Sequence, residues 1–237
     1  LLSRRQRQMC IRDRSHFMSC NVFEMPSRDF FDVINTRKTI RKYKKTIPPI
    51  EAIKIIADAG RQAPCATNSQ NWEFIAILDP KIKERMGKVV EAKYDELQLK
   101  VTNDIDRAKL NGYKYYSMFF TQAPVIFVVV EKLRPSSILT ILEKNGVTKE
   151  ELGEYDTRSS ILSMGAAIEN MSLTAHALGL GTCWMGAPLV AHKELAHILG
   201  LSHGDRAVTL LTVGYPDGDS FVRPHKKNLD EVFRIFV

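Results

Sequence analysis

Six cations fall within the ten residues Thr36-Arg37-Lys38-Thr39-Ile40-Arg41-Lys42-Tyr43-Lys44-Lys45. Arg37, Lys38 and Arg41, with the Thr39 hydroxyl, are able to hold a phosphate by charge-assisted hydrogen bonds. The bland alternative is a solvated basic joint between two elements. A second cluster is Ala63-Pro64-Cys65-Ala66-Thr67-Asn68-Ser69-Gln70-Asn71-Trp72. A loop of small and amide side chains before a buried strand leaves polar groups at a sheet edge, where ligands are often held; it also reads as a plain helix–strand turn. The third is Gly179-Leu180-Gly181-Thr182-Cys183-Trp184-Met185-Gly186-Ala187-Pro188. Glycines around a Trp let backbone approach a flat ligand closely, or make a tight turn.

What is missing narrows the chemistry. There is no Gly-x-Gly-x-x-Gly, Walker loop, His-Glu-x-x-His or Gly-x-Ser-x-Gly. His192 and His197 are five apart, the wrong spacing for one helix face, and His176 lies beside an apolar stripe, where a structural or surface role is expected. Cys10, Cys20, Cys65 and Cys183 show no metal-ligand spacing. No base, nucleophile or metal site stands out, which suggests that an organic cofactor carries the chemistry.

These clusters need elements to position them. A short helix is expected from an N-cap at Ser27 through Asn35, with Phe30, Phe31 and Ile34 as its apolar face. Pro48-Pro49 precedes a helix through about Gln62, and residues 72–78 read as a buried strand. Residues 80–122 read as two polar helices broken near 101–104. The β-branched run Pro124–Val130 is the strongest strand signal. Residues 136–142 read as a helix, with a turn at Asn145-Gly146. A long helix is predicted over 156–178, with Ile161, Met164, Ile168, Met171, Ala175 and Leu178 as one stripe. Gly179 fits a left-handed helix end. A strand around 182–185, a helix over 190–199, a strand over 207–213 and a short amphipathic segment over 229–237 complete the reading. Strands alternating with dominant helices argue for a helix-covered sheet, α+β or α/β.

The chain has 237 residues, 44% hydrophobic and 26% charged, which excludes a disordered acidic chain, a collagen and a coiled-coil rod. Its longest apolar run, Val125–Val130, is too short to span a bilayer. Residues 1–14 carry +4 of the +7 net charge, leaving only +3 on the rest, so no nucleic-acid or membrane partner is demanded. The basic head reads as translated adapter sequence, with a transit peptide or a phosphate-binding arm as alternatives. Residues 1–17 are therefore set apart from a single domain over 18–237, with Met18 or Met25 as start. The cysteine usage fits a reducing compartment, and a cytoplasmic location is expected.

In this order, the clusters resemble the motifs of the nitroreductase family of FMN-dependent oxidoreductases. Arg37-Lys38-Thr39-Ile40-Arg41 is similar to its Arg-Arg-Ser-x-Arg-like opening. The 63–72 cluster is similar to Ala-Pro-Ser-x-x-Asn-x-Gln-Pro-Trp, with Cys65 for Ser and Asn71 for Pro. Asn170 followed by Ala175-His176-Ala177-Leu178-Gly179-Leu180-Gly181, then Val213-Gly214-Tyr215-Pro216 and a basic tail, complete the set over about residues 27–237.

The resemblance implies a central, mostly antiparallel sheet covered by helices in three layers. It also implies a C-terminal extension exchanged in a homodimer, with the long helix at the subunit interface and FMN between the subunits. Arg37, Lys38, Thr39 and Arg41, with Arg223 and Lys226 or Lys227, would then face the phosphate. Pro64, Cys65, Asn68 and Gln70 would face the ring and ribityl chain, and the backbone of Trp184, Met185 and Gly186 the reactive edge. No residue is expected to be catalytic in its own right. NADH or NADPH would reduce the flavin, and a nitroaromatic, quinone or enone would reoxidise it in a ping-pong cycle. Residues 80–122 would form a lid with aromatic faces. Same-fold alternatives are a reductive dehalogenase or an oxygen-using flavin or heterocycle oxidase. Dehalogenating relatives hold a zwitterionic amino acid with a Glu-Tyr-Lys set on such a lid. Glu91, Tyr94 and Lys100 are the candidates here, and their spacing does not match. A basic nucleic-acid or phospholipid-surface module is the remote alternative.

Overall fold

The computed structural model describes residues 29–133, 137–152, 159–218 and 224–236. In chain order these form α1 (Phe30–Thr36), α2 (Ile50–Arg61), β1 (Trp72–Ile77), α3 (Pro80–Gln98) and α4 (Asp104–Ser117). Then come β2 (Val125–Glu131), α5 (Ser137–Lys144), α6 (Lys149–Leu152) and α7 (Ser159–Ala177). β3 (Gly181–Met185), α8 (His192–Leu199) and β4 (Arg206–Gly214) follow. The expected N-cap at Ser27, the tail cation Arg223, the head at 1–17 and the helix start at 156 lie outside the described residues.

Local chemistry explains the boundaries. Asp79 accepts from the Lys81 N–H at 2.7 Å, and Pro80 opens α3. The Asn103 side chain accepts from the N–H groups of Ile105 and Asp106, so the break between the polar helices is a new helix start. α7 ends where Gly179 takes φ +75°, and the Leu180 N–H closes back on the Ala175 carbonyl at 2.8 Å.

The sheet order is β1-β2-β4-β3, and each named pair is antiparallel. β2 lies inside the sheet and is covered on both faces, which is why its sequence is an unbroken apolar run. On one side α3 and α8 bring Met86, Val90 and Leu195 against Ile126, Val128 and Leu210. On the other, α2 and α7 bring Ile53, Ile56, Met164 and Ile168 against Phe127 and Leu211. These are the three layers.

Three expectations are corrected. Met164, Ile168, Met171, Ala175 and Leu178 of the α7 stripe are buried in their own chain against α2 and the sheet, so this stripe serves the chain's own core, while Leu162 on the same helix is exposed. The interior claims it because the sheet needs an apolar cover on that face. Phe30, Phe31 and Ile34 of α1 are exposed, and Val33 is the residue of that helix which packs inward. The segment before α8 is a 3-10 turn over Ala187–Ala191, entered at Pro188, and the α-helix starts at His192. Among the described residues no helix is long and apolar enough to cross a membrane.

Candidate functional site

After α1 the basic segment runs extended along the free edge of β3. Thr39 forms a parallel bridge with Thr182, and the Ile40 N–H donates to the Thr182 carbonyl at 2.8 Å. Farther on, Tyr43 lies opposite Pro216, and the Lys44 N–H donates to the Tyr215 carbonyl at 2.9 Å. The Tyr43 hydroxyl donates to the Ile40 carbonyl at 2.5 Å and lies 2.8 Å from the Thr212 hydroxyl. Burial pushes its ionisation well up, and the Thr212 bond offsets only part of that, so Tyr43 is a neutral brace.

That edge fixes where the cations go. Arg37, Lys38 and Thr39 are partly buried, whereas Arg41, Lys44 and Lys45 are exposed. Arg37 Nε lies 3.2 Å from Glu169 on α7. The Arg41 guanidinium sits 5.4 Å from the centre of the Tyr116 ring on α4. It also faces Cys183: burial pushes that thiol up, and Arg41 pulls it back by charge and a hydrogen bond. Arg41 therefore meets both the edge strand β3 and the helical excursion.

The loop before β1 is strained. Thr67, Asn68 and Gln70 have φ of 54°, 52° and 45°, in the left-handed region. Such conformations cost about 1–3 kcal/mol each and cluster at ligand sites. Pro64 is exposed at its start. The Gln70 N–H donates to Cys65 Sγ at 3.2 Å, and the Gln70 amide reaches Asn68 Oδ1 at the same distance. The Ala66 N–H donates to Ser163, and the Asn71 amide donates to Ser160 at 2.7 Å, which pins the loop to the start of α7. Burial pushes the Cys65 thiol up. Hydrogen bonds from Ser69, the Gln70 N–H, Ser163 and the Asn71 N–H outweigh that, leaving it below the ordinary thiol range.

In the third cluster Trp184 is 49% exposed although its strand neighbours Cys183 and Met185 are buried. Its ring reaches over Gly165 of α7, and the space around the Cα of Gly186 is open. An exposed indole beside open backbone, next to an edge carrying Arg37 and Arg41, is a surface suited to a flat, phosphate-bearing ligand. The residues present fit FMN.

The first and third clusters thus come together on the free edge of β3. The second joins them through α7, which holds the loop at Ser160 and Ser163, Trp184 at Gly165 and Arg37 at Glu169. Ser163 and Glu169 are separated by about 9 Å along the axis, the scale of a ribityl phosphate arm. Lys226 and Lys227 are exposed, and no described hydrogen bond or ion pair joins them to residues 37–41. Sequence reasoning missed Glu169, Ser160 and Ser163; Glu169 was marked only as the one carboxylate of this helix, and the two serines by nothing that sets them apart from its other small polar residues.

The helical excursion is covered by its own charges. Tyr94 is buried, with its hydroxyl on the Ala187 carbonyl at 3.3 Å, and Lys100 pairs with Glu96 at 3.0 Å. Glu91, Tyr94 and Lys100 therefore do not form one set. Lys114 of α4 instead reaches across to α3, 2.6 Å from Asp95 and 3.4 Å from Glu91. The Asp95 hydrogen bond raises its pKa most, and Glu91 adds to it.

A shallow groove of about 710 Å³ lies elsewhere, along α2 and the edge strand β1, lined by Ile55, Asp58, Arg61, Trp72 and Phe74. It holds none of the three clusters except Gln70 and Trp72.

The sequence profile of the nitroreductase family matches residues 34–215. Mouse iodotyrosine deiodinase 1 is 24% identical over 217 residues, covering 88% of this chain and 70% of that protein. A BluB-like flavoprotein from Clostridium difficile 630 is 28% identical with a TM-score of 0.80, over 89% of this chain and 100% of that one. An iodotyrosine deiodinase bound to FMN and 3-iodo-L-tyrosine shares the fold, with a TM-score of 0.63 at 21% identity over 87% of this chain and 100% of that one.

Proposed function

Because this chain belongs to the nitroreductase family, we propose that it is an FMN-dependent oxidoreductase and, within that chemistry, a reductive dehalogenase of a small aromatic substrate bearing ionised groups. The observation that carries the flavoenzyme reading is Arg41, which sits on the β3 edge beside Cys183 and under Tyr116 of α4. It supports a reading in which the basic edge and the helical excursion meet over one ligand. The choice of dehalogenation over general nitroreduction rests on the deiodinase relatives. It also rests on the Glu91, Asp95 and Lys114 cluster, which gives the lid an ammonium and carboxylates for a zwitterion.

FMN, when bound, supplies two electrons that with one proton replace a carbon–halogen bond by carbon–hydrogen and release halide. Arg37, Lys38, Thr39 and Arg41 would hold its phosphate, with Arg223 and Lys226 or Lys227 from the tail. The amides of Asn68 and Gln70 serve the ring and ribityl chain, beside Pro64 and Cys65. The backbone from Trp184 to Gly186 would flank the reactive edge, where an N–H would stabilise negative charge without a titrating group. Tyr116, beside Arg41, and its T-stacked neighbour Phe119 would help to exclude water from the site. NADH or NADPH is the reductant.

The working unit is a homodimer. Val232, Phe233, Ile235 and Phe236 are exposed on this chain, as are Phe30 and Phe31. The tail has apolar groups to bury, while among the described residues no strand pairs with the outer edge of β1, beside the α2 groove. A partner's tail on that edge answers both needs.

A second reading keeps the general reductase. Tyr113, Tyr115 and Tyr116 are exposed on α4 and offer unselective faces to nitroaromatics, quinones or enones. The deciding experiment starts from the purified protein. It should be yellow and release FMN, not FAD, on heating; a protein that stays colourless after incubation with FMN defeats both readings. Reduced protein should then release halide from 3-iodotyrosine. Absence of halide together with rapid NAD(P)H-driven nitroaromatic reduction would select the second reading.

A further inference from the structure

We infer that Glu169 is a positioning residue for the FMN phosphate, acting through Arg37; this rests on the FMN reading above. Arg37 caps the end of α1, where its N–H bonds the Val33 carbonyl at 3.0 Å, so its backbone is fixed. Its side chain lies across α7 with Nε 3.2 Å from Glu169 Oε1. The preceding residue is pinned to the same helix: Thr36 Oγ1 lies 2.8 Å from His176 Nε2. Positions 169 and 176 are seven residues apart, about two helical turns, and so lie on one face of α7. Two consecutive residues at the entrance to the basic segment are thereby held by two positions on one face of the same helix, about two turns apart.

The geometry of the guanidinium gives this bond its consequence. Arginine has five N–H donors in a rigid planar fork. With Nε turned to Glu169, the paired Nη groups are directed to other edges of the plane, and that pair suits two oxygens of a phosphate. Charge works in the same direction. Arg37, Lys38 and Arg41 fall within five residues, and their mutual repulsion would drive a long side chain into solvent before any anion arrives. Glu169 holds Arg37 on α7 in that interval, so less rotamer freedom is lost on binding.

Simple electrostatics predicts the opposite sign. A carboxylate beside a phosphate-binding cation repels the phosphate, and removing it should tighten binding. Positioning predicts weaker binding on removal. Because the pair is partly exposed, its effect is small, about two- to fivefold in affinity.

The test measures flavin binding to the full chain freed of flavin, by fluorescence quenching, with FMN and with riboflavin, which lacks the phosphate. Glu169→Ala should bind FMN about two- to fivefold more weakly and riboflavin unchanged. Glu169→Gln, whose amide oxygen still accepts from Nε–H, should recover the FMN affinity. An alanine variant that keeps or tightens FMN, or that loses both flavins alike, overturns the role of Glu169, as does a glutamine variant that recovers nothing. A wild-type chain that binds neither flavin, or both equally, overturns the phosphate site itself.

Discussion

Ile40 lies flush on Gly181: a methyl group added at Gly181 would fall 2.4 Å from Ile40 Cγ1 and 2.6 Å from its Cβ. Those atoms are close to the Ile40 backbone, and Ile40 is itself buried, so a clash there cannot be relieved by a rotamer change. The basic segment reaches β3 only because this position has no side chain. Gly181→Ala should push residues 39–41 off the strand edge, cost about 1–3 kcal/mol of stability and weaken FMN retention. Urea midpoints and flavin content check both; a variant with wild-type stability and full flavin would show that the segment is not held there.

The cations of that segment should not be equivalent. Arg37 and Arg41 are engaged with α7 and with Tyr116, whereas Lys44 and Lys45 are exposed beyond the bridge. Arg37→Ala or Arg41→Ala should weaken FMN by about tenfold or more, the scale of a charge-assisted bond of ~1.5–3 kcal/mol. Lys44→Ala and Lys45→Ala should have far smaller effects. Equal losses at all four positions would mean a diffuse field in place of a site.

Particular residues show what a sequence can and cannot carry. The run Val125–Val130 reads as a strand because every residue is apolar, and the structure covers it on both faces. Met164, Ile168 and Met171 read as one stripe because helical spacing is local; which surface claims that stripe is not local, and here it is α2 and the sheet. The motifs around Thr39 and Thr182 are each legible, but their pairing spans more than a hundred residues. Lys114 with Asp95 and Glu91 was not legible. The contact depends on how α3 and α4 cross, and Lys100, nearer in sequence, pairs with Glu96 instead.

The lid cluster makes a kinetic prediction. Lys114 holds Asp95 at 2.6 Å and would exchange that partner for a substrate carboxylate. Lys114→Met should raise KM for halide release from 3-iodotyrosine about tenfold or more while kcat at saturation changes little. A drop in kcat with KM unchanged would place Lys114 in the chemistry and remove it from substrate binding.

Cys65 should show the lowered thiol pKa that its hydrogen bonds impose. A thiol is nucleophilic only as thiolate. Its alkylation in the flavin-free chain should therefore reach half-maximum at a lower pH than that of a free small-molecule thiol alkylated under the same conditions. Buried Cys183, whose thiol is pushed up, should lag behind it at every pH. FMN should protect Cys65 if the loop meets the ring. Peptide mapping after pulse alkylation separates the two sites, and equal profiles would remove any special role for the loop.

The tail provides the test of assembly. Phe236 is 93% exposed on the single chain, and Val232, Phe233 and Ile235 are also open. Each apolar side chain is worth about 1.5–3 kcal/mol when fully buried, so a partner surface gains much by covering them. The edge of β1 and the groove floored by Trp72 and Phe74 offer that surface. The intact protein should sediment as a dimer at micromolar concentration. Truncation after Tyr215 should yield a weaker dimer, or monomers, with diminished FMN. A truncated protein that is monomeric and still holds its full complement of FMN would show that each chain builds its site alone.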